Sequence, residues 1–353
     1  MINGKDKLIL EKQYCLEMLP KVSRTFAPTI KMLPVGLNVP VTVAYLLCRI
    51  ADTVEDNAEL SIDQKKKMLD AYARIFDDSN LSAQPKFMKL VPSLSRVTPD
   101  DDLLYNLPTI LDVYFSFSEG VRRQIGKWVT EMSMGMRKYA QSSKKRRFTF
   151  LRTMKELDEY TYYVAGTVGY LLTELFSHYS RKITPAVRGK LEQLAESFGK
   201  GLQLVNIIRD MTVDLRRGQS YIPDELLKKY RLTRQSIFKE ENADQAVMMF
   251  NELIQNAVFH LDKALDYILL IPKEEKRIRL FCMLPLFWAL RTLQKIHENT
   301  LSLLGEEKVK VSRKMIRREL FLAFINMYSN TLMRRHYRQI RKQFDGLIVS
   351  SAS

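Results

Sequence analysis

The stretch VTVAYLLCRIADTVEDN, residues 41–57, joins a long apolar run to a cluster of acidic side chains. Eight of its first ten residues are apolar or aromatic, which is typical of a buried helix, and Asp52, Glu55 and Asp56 follow within five positions. Residues four apart share one face of a helix, so Asp52 and Asp56 are predicted to point the same way. The stretch therefore predicts a buried helix that ends in paired carboxylates.

A second segment repeats this design. GKGLQLVNIIRDMTVDLRRGQSYIP, residues 199–223, is another apolar pattern with helical spacing. Its side chains Asn206, Asp210 and Asp214 lie at i, i+4 and i+8, which sets three oxygen ligands along one face over about 12 Å. Two separate helices are thus predicted to carry the same set of polar oxygens.

Carboxylates beside apolar surface need a compensating charge, because moving an unpaired charge out of water is costly. Two acidic clusters that face each other would also repel. Mg²⁺ resolves both problems, since it commonly takes one or two protein carboxylates and completes its shell with water and substrate phosphates. The clusters therefore predict a Mg²⁺-bridged diphosphate. The alternative for either cluster alone is a solvated helix end that pairs with nearby Lys or Arg.

The composition favours a large helical fold. The chain has 353 residues, of which 46% are hydrophobic, and apolar residues recur every three or four positions over long segments. No G-x-G-x-x-G, G-x-x-x-x-G-K-[ST] or G-x-S-x-G pattern occurs, so a dinucleotide-binding sheet, a phosphate loop and a nucleophile elbow are unsupported. Residues 77–108, with four prolines, are predicted to be a loop. The predicted helices span residues 7–19, 40–56, 62–76, 110–139, 150–179, 186–214, 244–269, 280–297 and 312–341.

The cysteines and histidines argue against disulfides and zinc. Cys15, Cys48 and Cys282 are an odd number and lie far apart, as expected of reduced thiols in an intracellular protein. The four histidines lack zinc-ligand spacing, so oxygen ligands are expected for any metal. The start of the chain lacks a signal-like apolar run, and the longest uncharged stretch, residues 32–48, contains prolines and a glycine. No transmembrane segment is therefore predicted.

The formal charge of +16 is concentrated near the C-terminal end, where residues 308–342 hold eleven basic residues and one acid, Glu319. Residues 306–345 are predicted to form a basic helical segment packed on the same domain. Apolar side chains at helical spacing precede its arginines; these are Phe321, Phe324, Ile325, Tyr328 and Leu332. This pattern suggests a cytoplasmic protein with peripheral contact to anionic lipid, and the alternative is a solvated helix that caps the core. Nucleic-acid binding is not expected, because charge is its only support.

Five segments in order resemble the squalene and phytoene synthase family, all-helical enzymes that join two prenyl diphosphates head to head. The resemblance runs from about Tyr14 to about Asn299. Its segments are KVSRTFAPTIKMLP (21–34), YLLCRIADTVED (45–56), YTYYVAGTVGYLLTELF (160–176), GLQLVNIIRDMTVD (201–214) and FCMLP (281–285). The resemblance implies one all-α domain over residues 1–353, a class I isoprenoid (terpene) synthase helical bundle around a central cavity.

The resemblance also implies a set of functional residues. The family's metal ligands fall on Asp52, Asp56, Asn206, Asp210 and Asp214, with Glu55 as a further candidate. The family usually has a glutamate just before the last of these aspartates, and this chain has Val213 instead. One metal would then be held more weakly or through water.

Diphosphate and prenyl contacts follow from the same segments. The residues implied to contact substrate through polar groups are Ser23, Arg24, Arg49, Gln203 and Arg209. A carbocation left by loss of diphosphate is best stabilised by aromatic faces, for which the candidates are Phe26, Tyr45, Tyr163 and Phe281. Each aromatic residue alone has core packing as its alternative. Tyr160 matches the family tyrosine implicated in proton removal, although a phenol is a weak base by itself.

The family divides by the second half of the reaction. Squalene synthases reduce the presqualene intermediate with NADPH, whereas phytoene and dehydrosqualene synthases lose a proton. The motifs DTVED, SRTFA and FCMLP resemble the first group, and DLRRGQSYIP resembles the second. EEKVKVSRK, residues 306–314, resembles a segment that squalene synthases associate with NADPH, with Lys310, Arg313 and Lys314 as its implied contacts. We therefore expect squalene from farnesyl diphosphate, with dehydrosqualene, phytoene or presqualene diphosphate as alternatives. A relative that has lost catalysis and serves as an assembly factor is less consistent with the retained aspartates.

Overall fold

The computed structural model describes residues 4–77, 82–91, 95–140, 151–216, 219–299 and 311–347. In this part of the chain sixteen α-helices, a π-helical turn and short 3-10 turns occur, and there is no β-strand. The prediction of an all-α fold is confirmed. The chain divides into two compact units: Met1–Lys145 with Tyr170–Arg188 form unit 1, and Arg146–Gly169 with Gly189–Ser353 form unit 2. The single domain and its central cavity stay predictions.

The helices divide between the units. Unit 1 contains α1 (Gly4–Val22), α2 (Phe26–Lys31), α3 (Val35–Asp56), α4 (Ile62–Ala73), α5 (Ala83–Met88), α6 (Pro99–Tyr105), α7 (Leu107–Phe115), α8 (Glu119–Tyr139) and most of α10 (Thr167–Tyr179). Unit 2 contains α9 (Met154–Thr161), most of α11 (Pro185–Arg216), α12 (Asp224–Lys229), α13 (Ala243–Leu270), α14 (Lys276–Glu298), α15 (Arg313–Asn326) and α16 (Asn330–Arg341).

Helix α3, which contains the opening stretch, is the core of unit 1. It packs against α1, α4, α6, α7 and α8. Six aliphatic residues on it are fully inaccessible to solvent: Val43, Leu46, Leu47, Ile50, Ala51 and Val54. Burial of each larger side chain among them contributes about 1.5–3 kcal/mol to stability. The buried helix predicted for residues 40–56 is therefore confirmed, and it ends with its acidic residues at Asp56.

Helix α14 has the corresponding place in unit 2. It packs against α13, α15 and α16, and every residue from Ile278 to Phe287 is buried. Its FCMLP motif lies within this buried part, and Pro285 sits inside the helix. The motif therefore marks a packed core helix, which carries the C-terminal pair α15 and α16 on its surface.

Three predicted helices are interrupted. The pattern over residues 110–139 forms α7 and α8, and the pattern over 312–341 forms α15 and α16. Serines lie at both breaks: the Ser116 hydroxyl donates to the Val113 carbonyl at 2.6 Å, and Ser329 caps the start of α16. Serine hydroxyls compete for backbone groups and so favour such ends. Residues 150–179 are divided by a π-helical turn at Tyr162–Gly166.

The predicted loop over residues 77–108 was wrong in part, because it contains α5 and α6. Helix α6 begins with a capping box in which Thr98 and Asp101 satisfy each other's backbone N–H groups. A proline stands at its first position, where it costs no hydrogen bond. The prolines that suggested a loop therefore include one that starts a helix.

One helix in the described part of the chain, α3, is long and apolar enough to cross a membrane. Its most apolar window is 56% buried within the protein. Buried core helices meet the same criterion of length and composition, so the described residues contain no clear membrane-spanning segment.

Candidate active site

The first acidic cluster lies at the C-terminal end of α3. Glu55 is buried with 8% of its surface exposed, Asp52 is partly buried, and Asp56 faces solvent. Burial raises the pKa of Asp52 to about 7; Arg49 opposes this rise, and Asp56 adds to it. A third of the Asp52 side chain remains exposed, which limits the rise. Burial likewise raises the pKa of Glu55 well above its usual range, with Asp56 and Asp52 adding to the effect.

Arg49 is held by two carboxylates on the same unit. Its Nε and Nη2 donate to the two carboxylate oxygens of Asp100 at 2.7 and 3.2 Å. Its Nη1 lies 3.9 Å from Asp52 Oδ2. Such bidentate pairing fixes the plane of a guanidinium. The arginine implied to bind diphosphate is thus already oriented beside Asp52, by an acid on α6 that the sequence analysis missed.

Lys65 supports the end of α3 from α4. Lys65 is 2% exposed, and its ammonium group donates a hydrogen bond to the backbone carbonyl of Glu55. Burial lowers the pKa of Lys65, while Asp56 and Glu55 raise it. A cation is favourable at a helix C-terminus, where carbonyls have no partner within the helix. The sequence analysis missed this residue, although Lys65 stands in line with Met68 and Leu69 on the apolar stripe of α4.

Tyr45 shares the face of α3 that carries the acids, and its ring contacts Phe26 of α2. Tyr45 precedes Arg49 by one turn and Asp52 by two, and its ring centroid lies 6.0 Å from that of Phe26. Ser23 is buried, and its hydroxyl accepts a hydrogen bond from the Phe26 N–H at 3.1 Å. Four of the predicted substrate residues of unit 1, Ser23, Phe26, Tyr45 and Arg49, therefore lie along one path from the turn before α2 to the second half of α3. Arg24, the fifth, is exposed.

The second polar cluster lies along one face of α11 in unit 2. Gln203, Asn206, Asp210 and Asp214 are all partly buried, as the helical spacing predicts for one face. The Asn206 amide nitrogen lies 3.4 Å from Gln203 Oε1. Arg209 donates to both carboxylate oxygens of Asp210, with Nε 3.2 Å from Oδ1. This helix therefore also presents carboxylates with an adjacent arginine.

Tyr160, the predicted proton-transfer residue, is buried at the end of α9. Its ring stacks on Tyr221, with centroids 4.8 Å apart and planes 20° from parallel. Tyr221 belongs to the QSYIP segment that follows α11, and the backbone N–H of Asp224, the residue after that segment, donates to the Leu151 carbonyl at 3.0 Å. The stacking packs this segment against the end of α9, a role that the sequence analysis did not assign.

Close backbone contact brings α11 against the segment after α9. A Cβ added to Gly199 would lie 1.9 Å from the Ala165 carbonyl oxygen, and a Cβ added to Gly169 would lie 1.9 Å from that of Ala195. Lys200, which is also buried, reaches Asp158 of α9 at 2.8 Å. The absence of a side chain at Gly199 and Gly169 therefore permits this close approach. Tyr160 and the start of the polar face of α11 are therefore held in one packed region.

The remaining predicted residues lie elsewhere in unit 2. Phe281 is buried in α14, and Tyr163 lies in the π-helical turn, where it makes an edge contact with Tyr162 at 5.0 Å. Such turns are frequent at functional sites. Arg313 and Lys314 are exposed at the start of α15. Lys310 lies outside the described residues.

The donor chemistry of both clusters fits Mg²⁺. Within the described ranges, no three His, Cys, Asp or Glu side chains are grouped closely enough to hold a metal ion. Mg²⁺ commonly takes only one or two protein carboxylates and completes its octahedron with water and phosphate oxygens. Burial disfavours the ionised form of Asp52, and an adjacent Mg²⁺ would stabilise that form. The residues present therefore fit a metal that is shared with a diphosphate ligand.

A sequence profile of the squalene/phytoene synthase family matches residues 19–315. The chain belongs to this family. It is 30% identical over 297 residues to squalene synthase of Schizosaccharomyces pombe, with 84% of this chain and 62% of that protein covered. Squalene synthase 1 of Arabidopsis thaliana is 30% identical over 303 residues, with 84% and 68% covered, and the human squalene synthase is 28% identical over 306 residues, with 87% and 68% covered. The chain thus spans 62% to 68% of the length of these relatives.

Solved structures show the same fold. The structure of TcSQS with the ligand E5700 matches with a TM-score of 0.79 at 22% identity, covering 94% of this chain and 91% of that one. A dehydrosqualene synthase in complex with a ligand matches with a TM-score of 0.62 at 20% identity, covering 96% and 100%. The predicted class I isoprenoid synthase fold is confirmed.

Proposed function

We propose that this protein condenses two farnesyl diphosphates head to head through presqualene diphosphate and reduces that intermediate to squalene with NADPH. The observation that carries the proposal is the pair of carboxylate-bearing helices, α3 and α11, each with an arginine beside its aspartate. The likeness to squalene synthases of a yeast, a plant and human supports squalene as the product.

The proposed roles follow from the side-chain positions. Asp52 and Asp56 on α3, and Asp210 and Asp214 on α11, would hold Mg²⁺, which supplies positive charge to the departing diphosphate. Asn206 and Glu55 would complete these ligand sets. Arg49, Arg209, Ser23, Arg24 and Gln203 would orient the diphosphate groups through hydrogen bonds. Charge-assisted bonds of this kind are short and directional, and favour one placement of each leaving group.

The apolar parts of the substrates need protection from water after ionisation. Phe26 of α2 and Tyr45 of α3, whose rings contact each other at a tilt of 47°, would present ring faces to a prenyl cation. Tyr163 and Phe281 would do the same from unit 2. Tyr160, held by its stacking on Tyr221, would pass a proton to the released diphosphate if the reaction ends without reduction.

NADPH would supply hydride for the second half of the reaction. Arg313 and Lys314 stand exposed at the first turn of α15, where backbone N–H groups also favour anions. In the described residues neither side chain pairs with a carboxylate. Both therefore fit contacts to a phosphate of the cofactor, and Lys310 is proposed as the third contact.

The test is incubation of the purified protein with farnesyl diphosphate and Mg²⁺, with and without NADPH, followed by mass analysis of hydrocarbons and dephosphorylated alcohols. Squalene that requires NADPH is the expected result. Dehydrosqualene or presqualene alcohol regardless of NADPH would replace squalene synthesis with the proton-terminated or presqualene-releasing alternative. Absence of product with both farnesyl and geranylgeranyl diphosphate would favour the catalytically inactive relative.

A further inference from the structure

Helix α15 has an outward face of unusual composition. Its inward stripe, Glu319, Ala323 and Asn326, is buried. The opposite face begins with Lys314 and Arg317 and continues with aromatic and aliphatic side chains that remain exposed. Their exposed fractions are 65% for Phe321, 44% for Phe324, 44% for Ile325 and 54% for Tyr328. We call these four residues, together with Leu332 of α16 at 42%, the apolar patch.

Helix α16 continues the surface with positive charge. Its buried stripe is Met333, Tyr337 and Ile340. Opposite that stripe stand Arg335, Arg338 and the following Lys342, at i, i+3 and i+7, and all three are exposed. Within the described part of the chain none of the three pairs with a carboxylate. We call them the basic row.

The two features belong to one surface of one unit. Helices α15 and α16 pack against each other and both pack on α14. Residues 311–347 contain nine basic residues and two acids, and the acid Glu319 is buried against Arg291 and His336. The exposed surface of this helix pair is therefore apolar at its centre and positive around it. Large exposed apolar patches on a folded protein commonly mark an interaction site.

We propose that the apolar patch and the basic row dock this protein on an anionic lipid surface. Amphipathic helices with aromatic and aliphatic residues on one face and Lys or Arg beside them insert into the boundary between headgroups and acyl chains. Each basic residue near an anionic leaflet contributes about fivefold in affinity. Charge complementarity decides the partner, because the surface offers unpaired cations to lipid phosphates and ring surfaces to acyl chains.

Other occupants fit this surface less well. A second copy of the chain would place one basic row against another if the contact were two-fold symmetric, since such contacts use the same patch twice. A nucleic acid would satisfy the cations and leave the aliphatic Ile325 and Leu332 exposed. The lipid surface is the partner that satisfies both the charge and the apolar side chains. This docking is independent of the reaction proposed above.

The test is sedimentation of the full chain with vesicles of phosphatidylcholine containing about a third phosphatidylserine, compared with pure phosphatidylcholine, at low and high salt. The variants are Phe321→Ser with Phe324→Ser in the patch, and Arg335→Gln with Arg338→Gln and Lys342→Gln in the row. The matched controls are Val35→Ser with Val97→Ser, which are 87% and 83% exposed, and Lys67→Gln with Lys86→Gln and Lys89→Gln, which are exposed in unit 1. Thermal unfolding of each variant establishes that it is folded.

The expected result is binding to anionic vesicles that weakens at high salt. Loss of the basic row should reduce affinity by about 100-fold, from three contributions of about fivefold each. The patch variant should bind weakly at both salt concentrations, and both controls should bind like the unchanged protein. Absence of vesicle binding by the unchanged protein, or an equal loss in the unit 1 lysine control, would overturn the proposal. A dimer in solution that Phe321→Ser with Phe324→Ser dissociates, without vesicle binding, would overturn the proposal by assigning the patch to a second copy.

Discussion

At the scale of single residues, the proposed reaction depends on carboxylates held at the ends of apolar helices. Replacing Asp52 or Asp210 by asparagine removes a negative charge and keeps the shape of the side chain. We expect Asp52→Asn and Asp210→Asn each to lower turnover of farnesyl diphosphate by about 100-fold or more, because stabilisation of the leaving diphosphate is lost. Steady-state kinetics at saturating Mg²⁺ would measure the effect.

The fold should survive these substitutions, since a neutral amide is less costly to bury than a carboxylate. The control is Asp266→Asn, an exposed acid in α13 that should leave activity unchanged. Full activity in both Asp52→Asn and Asp210→Asn would show that the proposed metal ligands are wrong.

The spacing of the polar site residues could be predicted from the sequence, whereas the contacts that hold them in place could not. Asp52, Asp56, Asp210 and Asp214 follow from helical periodicity. The Arg49 contact to Asp100 joins residues 51 positions apart, so no local pattern indicates it. Lys65 did leave a signal, because a lysine in line with buried apolar residues needs a partner.

At the scale of helices, the close approach of α11 to the segment after α9 depends on Gly199, which has no side chain. Gly199→Ala would place a methyl group 1.9 Å from the Ala165 carbonyl oxygen, so the helices must separate. We expect a loss of about 1–3 kcal/mol in the free energy of unfolding, as for other overpacked contacts. Denaturant unfolding followed by circular dichroism would measure it.

The same helix provides the control for this substitution. Gly189 lies in α11 with nothing within 4 Å of an added Cβ. Gly189→Ala should therefore raise the free energy of unfolding by about 0.5–1 kcal/mol, because alanine favours the helix. Equal effects of the two substitutions would mean that the close approach at Gly199 does not contribute to stability.

The three C-terminal helices are joined through Glu319, which is fully buried. Burial alone would raise the pKa of Glu319, and its hydrogen bonds and charge pairs with His336 and Arg291 lower it below its usual value of 4.5. A lowered carboxylate pKa stabilises the fold above the unfolded value, and that stability is lost as the pH falls through the folded value. Glu319→Gln should thus cost about 3–5 kcal/mol at pH 7, since Arg291 keeps its buried charge without a counterion.

Urea unfolding of both proteins from pH 7 down to the onset of acid unfolding would test this. The difference between them should narrow below pH 4.5. Glu274→Gln, an exposed site, should show no difference at any pH. A difference that stays constant with pH would contradict the lowered pKa.

The helical content could be predicted because apolar spacing is local, whereas the breaks depend on competing contacts. Ser116 and Ser329 could have indicated the two breaks, but the long apolar repeats on either side of each serine favoured the prediction of one continuous helix. The π-helical turn at Tyr162–Gly166 could not be predicted from apolar spacing, and it lies where α11 packs closely on this segment.

At the scale of the whole molecule, the order of five motifs along the chain indicated the family, and the match over residues 19–315 confirms it. The fold and family therefore followed from the sequence. The division into two compact units did not, because it depends on which helices pack together. The cavity in which two prenyl chains would lie stays a prediction, as does the chain length of the substrate.

The central claim is that two prenyl diphosphates are joined in one protein, with both diphosphates released. The most direct test is to measure diphosphate release and hydrocarbon formation together in the presence of farnesyl diphosphate, Mg²⁺ and NADPH, with Asp52→Asn as the background. The account predicts two diphosphates released for each hydrocarbon, whose carbon skeleton is twice that of the substrate. One diphosphate released for each single-chain alcohol or hydrocarbon would contradict it.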